Sequence, residues 1–483
     1  MNFRAVSPSA VASDGWDVVV IGSGFGSLFF LHEYLKRHPQ QRVLVLEWGS
    51  HHSRQWQLEH RKNSAIDHGS TISKDGAKDW NFNIGLGGGT NCWQGMAARM
   101  HPHDFELRSR YGVGFDWPIS YDDIAEYYDA AEAIMMVAGD KEAGTVFPGA
   151  GRFPQDQHKF SATERLLKAA RPDTFFAAPQ AKLSTRVGNR AGCCNNGTCS
   201  LCPTGAKFYA VENMAELWGA PNLAICTGAR VRRIEATGPK ADAVVFESEG
   251  REFTARGELI VLGANGIHSP FILQQSEITD GGPGDYIGEK MLAFVEVFLD
   301  GMDHFDGGTA TTGYELSYID GPHRARHGAV QYWTNNSFLW GGLRLDPPHR
   351  YREVLPLGIT VEDLLFKENT VVDDGGDVPT VRHAGFSDYA HKGLDFAIAQ
   401  IPEVFSALPI EAIELRRILP TADQIQGSLR MGSDPETSVV DAGQVHHRLR
   451  NLLVVGTSVF PTTSWAAPSL TCAAMSLKLG TEI

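Results

Sequence analysis

The chain has 483 residues, 42% apolar and 21% charged, an ordinary globular composition with room for two or three domains. Its net charge of −14, with no Lys/Arg cluster, makes nucleic acid and anionic membrane surfaces poor partners. No run approaches the roughly 18 apolar residues of a spanning helix, and the start of the chain lacks the apolar stretch of a secretory signal. The chain therefore reads as cytoplasmic unless a partner subunit carries it elsewhere.

The first element is the stretch WDVVVIGSGFGSLFFLHEYLKRHPQQRVLVLE, residues 16–47. Val18, Val19, Val20 and Ile21 form the β-branched run of a strand buried on both faces of a parallel sheet. Gly22 permits a tight turn, Gly24 lets the backbone approach a pyrophosphate, and a helix opening near Phe25 points free N–H groups at that anion. A second strand over 42–46 ends in Glu47, at the distance where a carboxylate accepts hydrogen bonds from a ribose. Ser27 occupies the sixth position of the glycine pattern, and Gly26 beside it keeps the turn small. The competing reading is an ordinary βαβ unit that binds nothing.

Residues 47–60 read as a loop and short helix beside the nucleotide, with His51 and His52 a solvated pair rather than a metal site. Gly85, Gly87, Gly88 and Gly89 then crowd into five residues, costly in a helix or strand interior but suited to backbone laid against a ligand. Residues 228–234, GARVRRI, alternate as a strand does. Residues 259–262 read as a buried strand, followed by the small Gly263, Ala264 and Gly266. Ser269-Pro270 is expected to open a helix, with Asn265 and His268 in capping or supporting roles.

Five boxes carry a resemblance that runs almost end to end: GSGFGS with Glu47, GLGGGTNCWQGMAAR, DWPISYDDIAEYYDAAE, ELIVLGANGIHSPFILQQS and NLLVVGTSVFPTTSWAAPSLT. Together they resemble the glucose–methanol–choline (GMC) family of FAD-dependent oxidoreductases. The resemblance implies an α/β fold: a discontinuous Rossmann-like FAD domain with a parallel sheet over 14–115, 215–290 and 440–483. It implies a connecting region over 116–214, with a cysteine loop at 188–207, and an α+β substrate-binding sheet domain over 291–439. FAD contacts are implied at Gly22, Gly24, Gly26, Glu47, Gly87, Gly88, Thr90, Asn91, Cys92, Ala264, Gly456, Pro468 and Ser469, with Val231 meeting adenine. Cys92 stands where related sugar oxidases carry a flavin-bonded histidine; a small buried residue is the alternative. Gly456 stands where relatives usually carry an acid. The helix opening near Pro468 is expected to aim its N-terminus at the flavin's pyrimidine edge.

Residues 192–203 read GCCNNGTCSLCP, placing Cys193, Cys194, Cys199 and Cys202 together, four of the chain's seven cysteines. Too few and too clustered for a disulfide scaffold, they suit an iron–sulfur cluster, a structural zinc, or unligated or disulfide-bonded thiols; paired C-x-x-C knuckles, the usual zinc signal, are absent. The loop is similar to that of the FAD-bearing subunit of bacterial membrane-linked glucose dehydrogenases. That likeness implies Cys193, Cys194 and Cys199 as ligands of a 3Fe-4S or 4Fe-4S cluster, with Cys202 as the doubtful fourth.

Alcohol oxidation by hydride transfer needs a base for the hydroxyl proton, and the family supplies a histidine with a second histidine or asparagine. By resemblance those places are held here by Gln424, in QIQGSLRMG, and Ala467, before Pro468. Neither can accept a proton. Asp423 would point to the other side of an extended segment, which makes it a poor substitute; His349, His383 and His391 are further candidates, each more simply read as a surface or core histidine. Three readings follow. One is a dehydrogenase of a sugar, cyclitol or other alcohol with a relocated base, passing electrons from FAD through the cluster to an acceptor protein or small partner subunit. The others are an FAD enzyme reducing or desaturating a C–C bond, and a non-catalytic FAD-binding partner.

Overall fold

The structure is a computed structural model that describes residues 3–336 and 351–483, so His349 lies outside the described residues. The run WDVVVI forms the strand Trp16–Ile21, buried except at the partly exposed Asp17. It pairs in parallel with Val43–Glu47 on one side and with Arg251–Leu262 on the other. Beyond Val43–Glu47 the sheet continues through Leu223–Thr227 to Arg4–Ala5, also in parallel. Arg4–Ala5 precedes residue 14, where the domain was expected to begin.

The long strand Arg251–Leu262 divides its partners. Its last three residues pair in parallel with Leu452–Val454, while residues 251–256 pair antiparallel with Lys240–Ser248, which in turn pairs with Arg230–Thr237. The eight strands thus form a parallel sheet that grows an antiparallel extension at one edge. The helices Phe25–Arg37 and Ser469–Glu482 pack on each other so closely that Gly480 leaves no room for a Cβ against the Phe30 carbonyl. The two ends of the chain close one structural unit.

The second sheet is antiparallel throughout, in the order Ile410–Ile418, Met291–Leu299, Val354–Val361, Val330–Asn335, Thr311–Tyr318, Phe175–Ala177. Its edge strand Phe175–Ala177 comes from the stretch expected only to connect. Side chains on a strand alternate between faces. Met291, Ala293, Val295 and Val297 accordingly pack toward the helix Asp388–Val404, whose Leu394, Ala397 and Ile401 share their apolar cluster. Leu292 and Phe294 face the opposite way, into a cleft between the two sheets. The fold is a mixed α/β architecture with a parallel sheet and a separate antiparallel sheet.

One helix starts earlier than the sequence suggests. The Asn265 carboxamide oxygen accepts the N–H groups of Ile267 at 2.8 Å and His268 at 3.0 Å, so the helix runs Asn265–Gln275 and Pro270 falls inside it. A capping side chain outranks the proline as the start signal.

Buried charge ties the antiparallel sheet to the turn Pro102–Phe105. The fully buried Arg324 guanidinium lies 2.8 Å from both Asp104 and Glu362, and Ser464 donates to Asp104 at 2.7 Å. Removing one partner of a buried ion group leaves the others unpaired in low dielectric, a loss of about 3–5 kcal/mol. Arg324→Met is therefore expected to lower stability by about that amount, checked by urea unfolding of the FAD-loaded protein.

Candidate active site

A cleft of about 1020 Å³ lies against the ends of the parallel strands and the inner face of the antiparallel sheet. That is the upper end of the about 300–1,000 Å³ typical of small-molecule sites. Gly22, Gly24, Gly26, Glu47, Gly88, Cys92, Val231, Ala264, Gly456, Pro468 and Ser469 all line it, as do Asp423, Gln424 and Ala467. Gly87, Thr90 and Asn91 instead stand behind the wall and fix its shape. The Gly87 N–H donates to the Ser23 hydroxyl at 3.1 Å, the Thr90 hydroxyl to the Gly87 carbonyl at 2.7 Å, and the Asn91 amide to the Leu86 carbonyl at 3.0 Å.

The turn after Trp16–Ile21 is held by Glu47. Its carboxylate accepts the Ser23 N–H at 3.1 Å, the Ser23 hydroxyl at 2.6 Å and the Gly49 N–H at 2.9 Å. Gly22 has φ +85°, and a Cβ there would meet the Gly263 carbonyl oxygen at 2.6 Å. Gly24 differs: its φ is ordinary, and a Cβ would meet no protein atom within 4 Å. Packing does not explain that glycine, whereas backbone kept clear for a ligand does. The helix Phe25–Arg37 behind it has no side-chain cap, and neither has Ser469–Glu482, so two helix N-termini present free N–H groups at one cleft.

Asp423 and Gln424 both face the cleft, which corrects the expectation that they point apart. The segment is not extended: Asp423 has φ +58°, and the loop wraps the buried Glu289, which accepts the N–H groups of Ala422 at 2.9 Å and Gln424 at 3.1 Å. Lys78 pairs with Glu289 at 2.7 Å. The Gln424 carboxamide oxygen is buried without a partner. Asp423 accepts from the Asn81 amide at 2.8 Å, and the Asn81 oxygen lies 3.1 Å from His68 Nε2. Enclosure by protein raises the Asp423 pKa above the usual carboxylate range; the Asn81 hydrogen bond opposes this and the negative Glu289 adds to it.

His68 and Asn81, both on the cleft wall, were not singled out from sequence. Lys290 was also missed. Fully buried, it donates to the carbonyl of Ala466, next to Ala467, and burial pushes its pKa down to about 7. His268 lines the cleft, but burial pushes its pKa down to about 3, and its Nε2 meets the Thr71 hydroxyl at 3.3 Å. His383 packs edge-on against Trp80 and His391 is exposed; neither lines the cleft.

Sequence comparison decides the family. The family model for GMC oxidoreductase matches residues 67–293 and 399–476. The chain belongs to the GMC oxidoreductase family. This GMC oxidoreductase is 25% identical to the fructose dehydrogenase large subunit of Gluconobacter japonicus, over 97% of each chain. It is 27% identical to the paromamine 6'-oxidase of Streptomyces fradiae, over 96% of this chain and 90% of the relative. Its fold matches pyridoxine 4-oxidase from Mesorbium loti with a TM-score of 0.66 at 15% identity, covering 96% of this chain and 98% of the other. The protein is an oxidoreductase with FAD as cofactor, and among the described residues no helix is long and apolar enough to cross a membrane.

The cysteine loop of this GMC oxidoreductase sits at the cleft's edge. Cys199 and Ser200 line the cleft, Cys193 Sγ lies 3.2 Å from the Thr309 hydroxyl, Cys202 Sγ lies 3.8 Å from that of Thr204, and Cys194 is exposed. Among the described residues no three of these sulfurs lie within 4.8 Å of one another. Cys92 lines the cleft, with its pKa pushed up to about 11 by burial.

Gly24→Val would fill the space kept at the turn. The variant is expected to fold yet purify with most of its flavin lost, checked by absorbance and by the FAD released on denaturation.

Proposed function

We propose that the protein is a dehydrogenase of a sugar, cyclitol or other alcohol in which Asp423 takes the hydroxyl proton. The observation that carries this reading is the hydrogen-bonded row His68, Asn81, Asp423 on the cleft wall beside Gln424. Bound FAD supplies the hydride acceptor. In this reading Gly22, Gly24 and Glu47 bind its ribose and pyrophosphate end, while Ala467, Pro468 and Ser469 meet its flavin end. Gln424 and Ala467 stand at the family's catalytic positions, and without a titratable atom they shape the substrate's seat rather than move protons.

Asp423 suits the role because its raised pKa makes it a better proton acceptor than an ordinary aspartate. Asn81 orients the carboxylate, and His68 behind Asn81 fixes which way that amide turns. The relative named for fructose supports a sugar-class donor. The same name, a large subunit, supports a partner subunit.

The proposal extends to electron exit at the cysteine loop, whose Cys199 lines the cleft. An iron–sulfur cluster on Cys193, Cys194 and Cys199, with Cys202 as a fourth candidate, requires the exposed Cys194 to turn inward. Stoichiometric iron and sulfide in anaerobically prepared protein is the expected result; zinc without iron removes this part of the proposal and leaves the Asp423 part standing.

Loss of a general base costs about 10²–10⁴-fold. Asp423→Asn is expected to lower the rate of flavin reduction within about that range with FAD content unchanged. In the wild type the rate should rise with pH through the raised Asp423 pKa and then level, because the base works ionised; in Asp423→Asn that rise should vanish. A retained pH profile in the variant would show that the proton goes elsewhere.

A further inference from the structure

Outside the cleft, one group of side chains among the described residues has the composition and spacing of a metal site. His101 and His103 flank Pro102 at the start of the short turn Pro102–Phe105. The turn is fixed at both ends: the His101 ring nitrogen Nδ1 accepts the His103 N–H at 3.2 Å, and the Asp104 carboxylate accepts the His101 N–H at 2.8 Å. The two rings meet edge to face with centroids 4.7 Å apart. Asp320, just after the strand Thr311–Tyr318 of the antiparallel sheet, reaches across to them. One ligand atom from each of the three lies within 4.8 Å of the others.

The hydrogen bonds leave ligand atoms available. With Nδ1 of His101 occupied by a backbone N–H, its Nε2 remains. His103 Nδ1 and Asp320 Oδ2 are 2.7 Å apart, sharing a proton, and the other Asp320 oxygen takes the Tyr111 hydroxyl. Replacing that proton by a tetrahedral ion requires the pair to part to roughly 3.3 Å, the span set by metal–ligand bonds of about 2.0–2.1 Å. The His103 and Asp320 side chains are 30% and 27% exposed, so an ion can enter from solvent.

Charge permits it. Arg324 lies 3.9 Å from Asp320, but Asp104 and Glu362 each contact Arg324 at 2.8 Å. Three carboxylates against one guanidinium leave a formal −2. Lys290, which also faces Asp104 and Glu362, reduces this to −1 when protonated. Two imidazoles and one carboxylate with an open fourth position are a zinc ligand set.

We propose that His101, His103 and Asp320 bind one zinc ion, with water as fourth ligand, stapling the 101–105 turn to the antiparallel sheet. The site is separate from the cleft, and it gives the buried Asp104–Arg324 ion pair a surface anchor.

The test is equilibrium dialysis of FAD-loaded protein against micromolar zinc, followed by metal analysis, for the wild type, His103→Gln and His101→Gln. The wild type should retain one equivalent more than either variant, and zinc should raise its melting temperature but not theirs. Zinc taken up by the cysteine loop is common to all three and cancels. Equal zinc in all three, with FAD content intact, overturns the proposal. If the variants lose FAD, zinc-edge X-ray absorption of the wild type decides. Nitrogen and oxygen neighbours at about 2.0–2.1 Å support the site, while a shell of sulfur alone at about 2.3 Å, or no retained zinc, overturns it.

Discussion

Three stretches of backbone meet at the Glu47 carboxylate. It accepts from both the N–H and the hydroxyl of Ser23 at the first turn, and from the Gly49 N–H after its own strand. The Ser23 hydroxyl in turn accepts the Gly87 N–H from the glycine strip. Taking a carboxylate out of water is costly unless its lone pairs are filled. Burial pushes the Glu47 pKa up and these hydrogen bonds pull it back. The turn, the strand end and the strip therefore come together or not at all. Their closeness also fixes the glycines: a Cβ on Gly88 would strike the Gly24 Cα at 2.6 Å, and one on Gly26 would strike the Gly456 N at the same distance.

That floor sets the electrostatics of the cleft. Two uncapped helix N-termini converge on it, an arrangement suited to an anionic ligand. The antiparallel sheet supplies the facing wall by simple alternation, with Phe294 and Trp333 toward the cleft and their strand neighbours toward the helix Asp388–Val404. Facing this floor, Asp423 is an exposed carboxylate on the cleft wall, held by a loop that wraps the buried acid Glu289. The cleft thus separates a region suited to phosphate from one able to accept a proton.

The glycine-turn side of the cleft was legible in the sequence because its signals are local. A β-branched run, two glycines and a helix lie within a short stretch, and sheet pairing only completes what their chemistry requires. The row His68, Asn81, Asp423 was not legible for the opposite reason. Asn81 and Asp423 are 342 positions apart, and what turns Asp423 into the cleft is a left-handed backbone at a non-glycine residue, for which an aspartate gives only a faint signal. Reading that segment as extended sent Asp423 the wrong way. Asn265 illustrates the same limit at smaller scale, since its capping side chain moved a helix start that Pro270 had seemed to mark. The cysteine loop was conspicuous as a pattern, yet spacing alone does not make sulfurs converge.

The central claim is the proposal that this cleft oxidises an alcohol with Asp423 as the proton acceptor. The most direct measurement is anaerobic stopped-flow mixing of the FAD-loaded protein with a panel of sugars and cyclitols, following the flavin absorbance. At least one donor should bleach the flavin with saturating kinetics, and a one-electron acceptor should then restore the colour faster than oxygen does. Flavin that bleaches with dithionite but with no polyhydroxylated donor at any pH would contradict it.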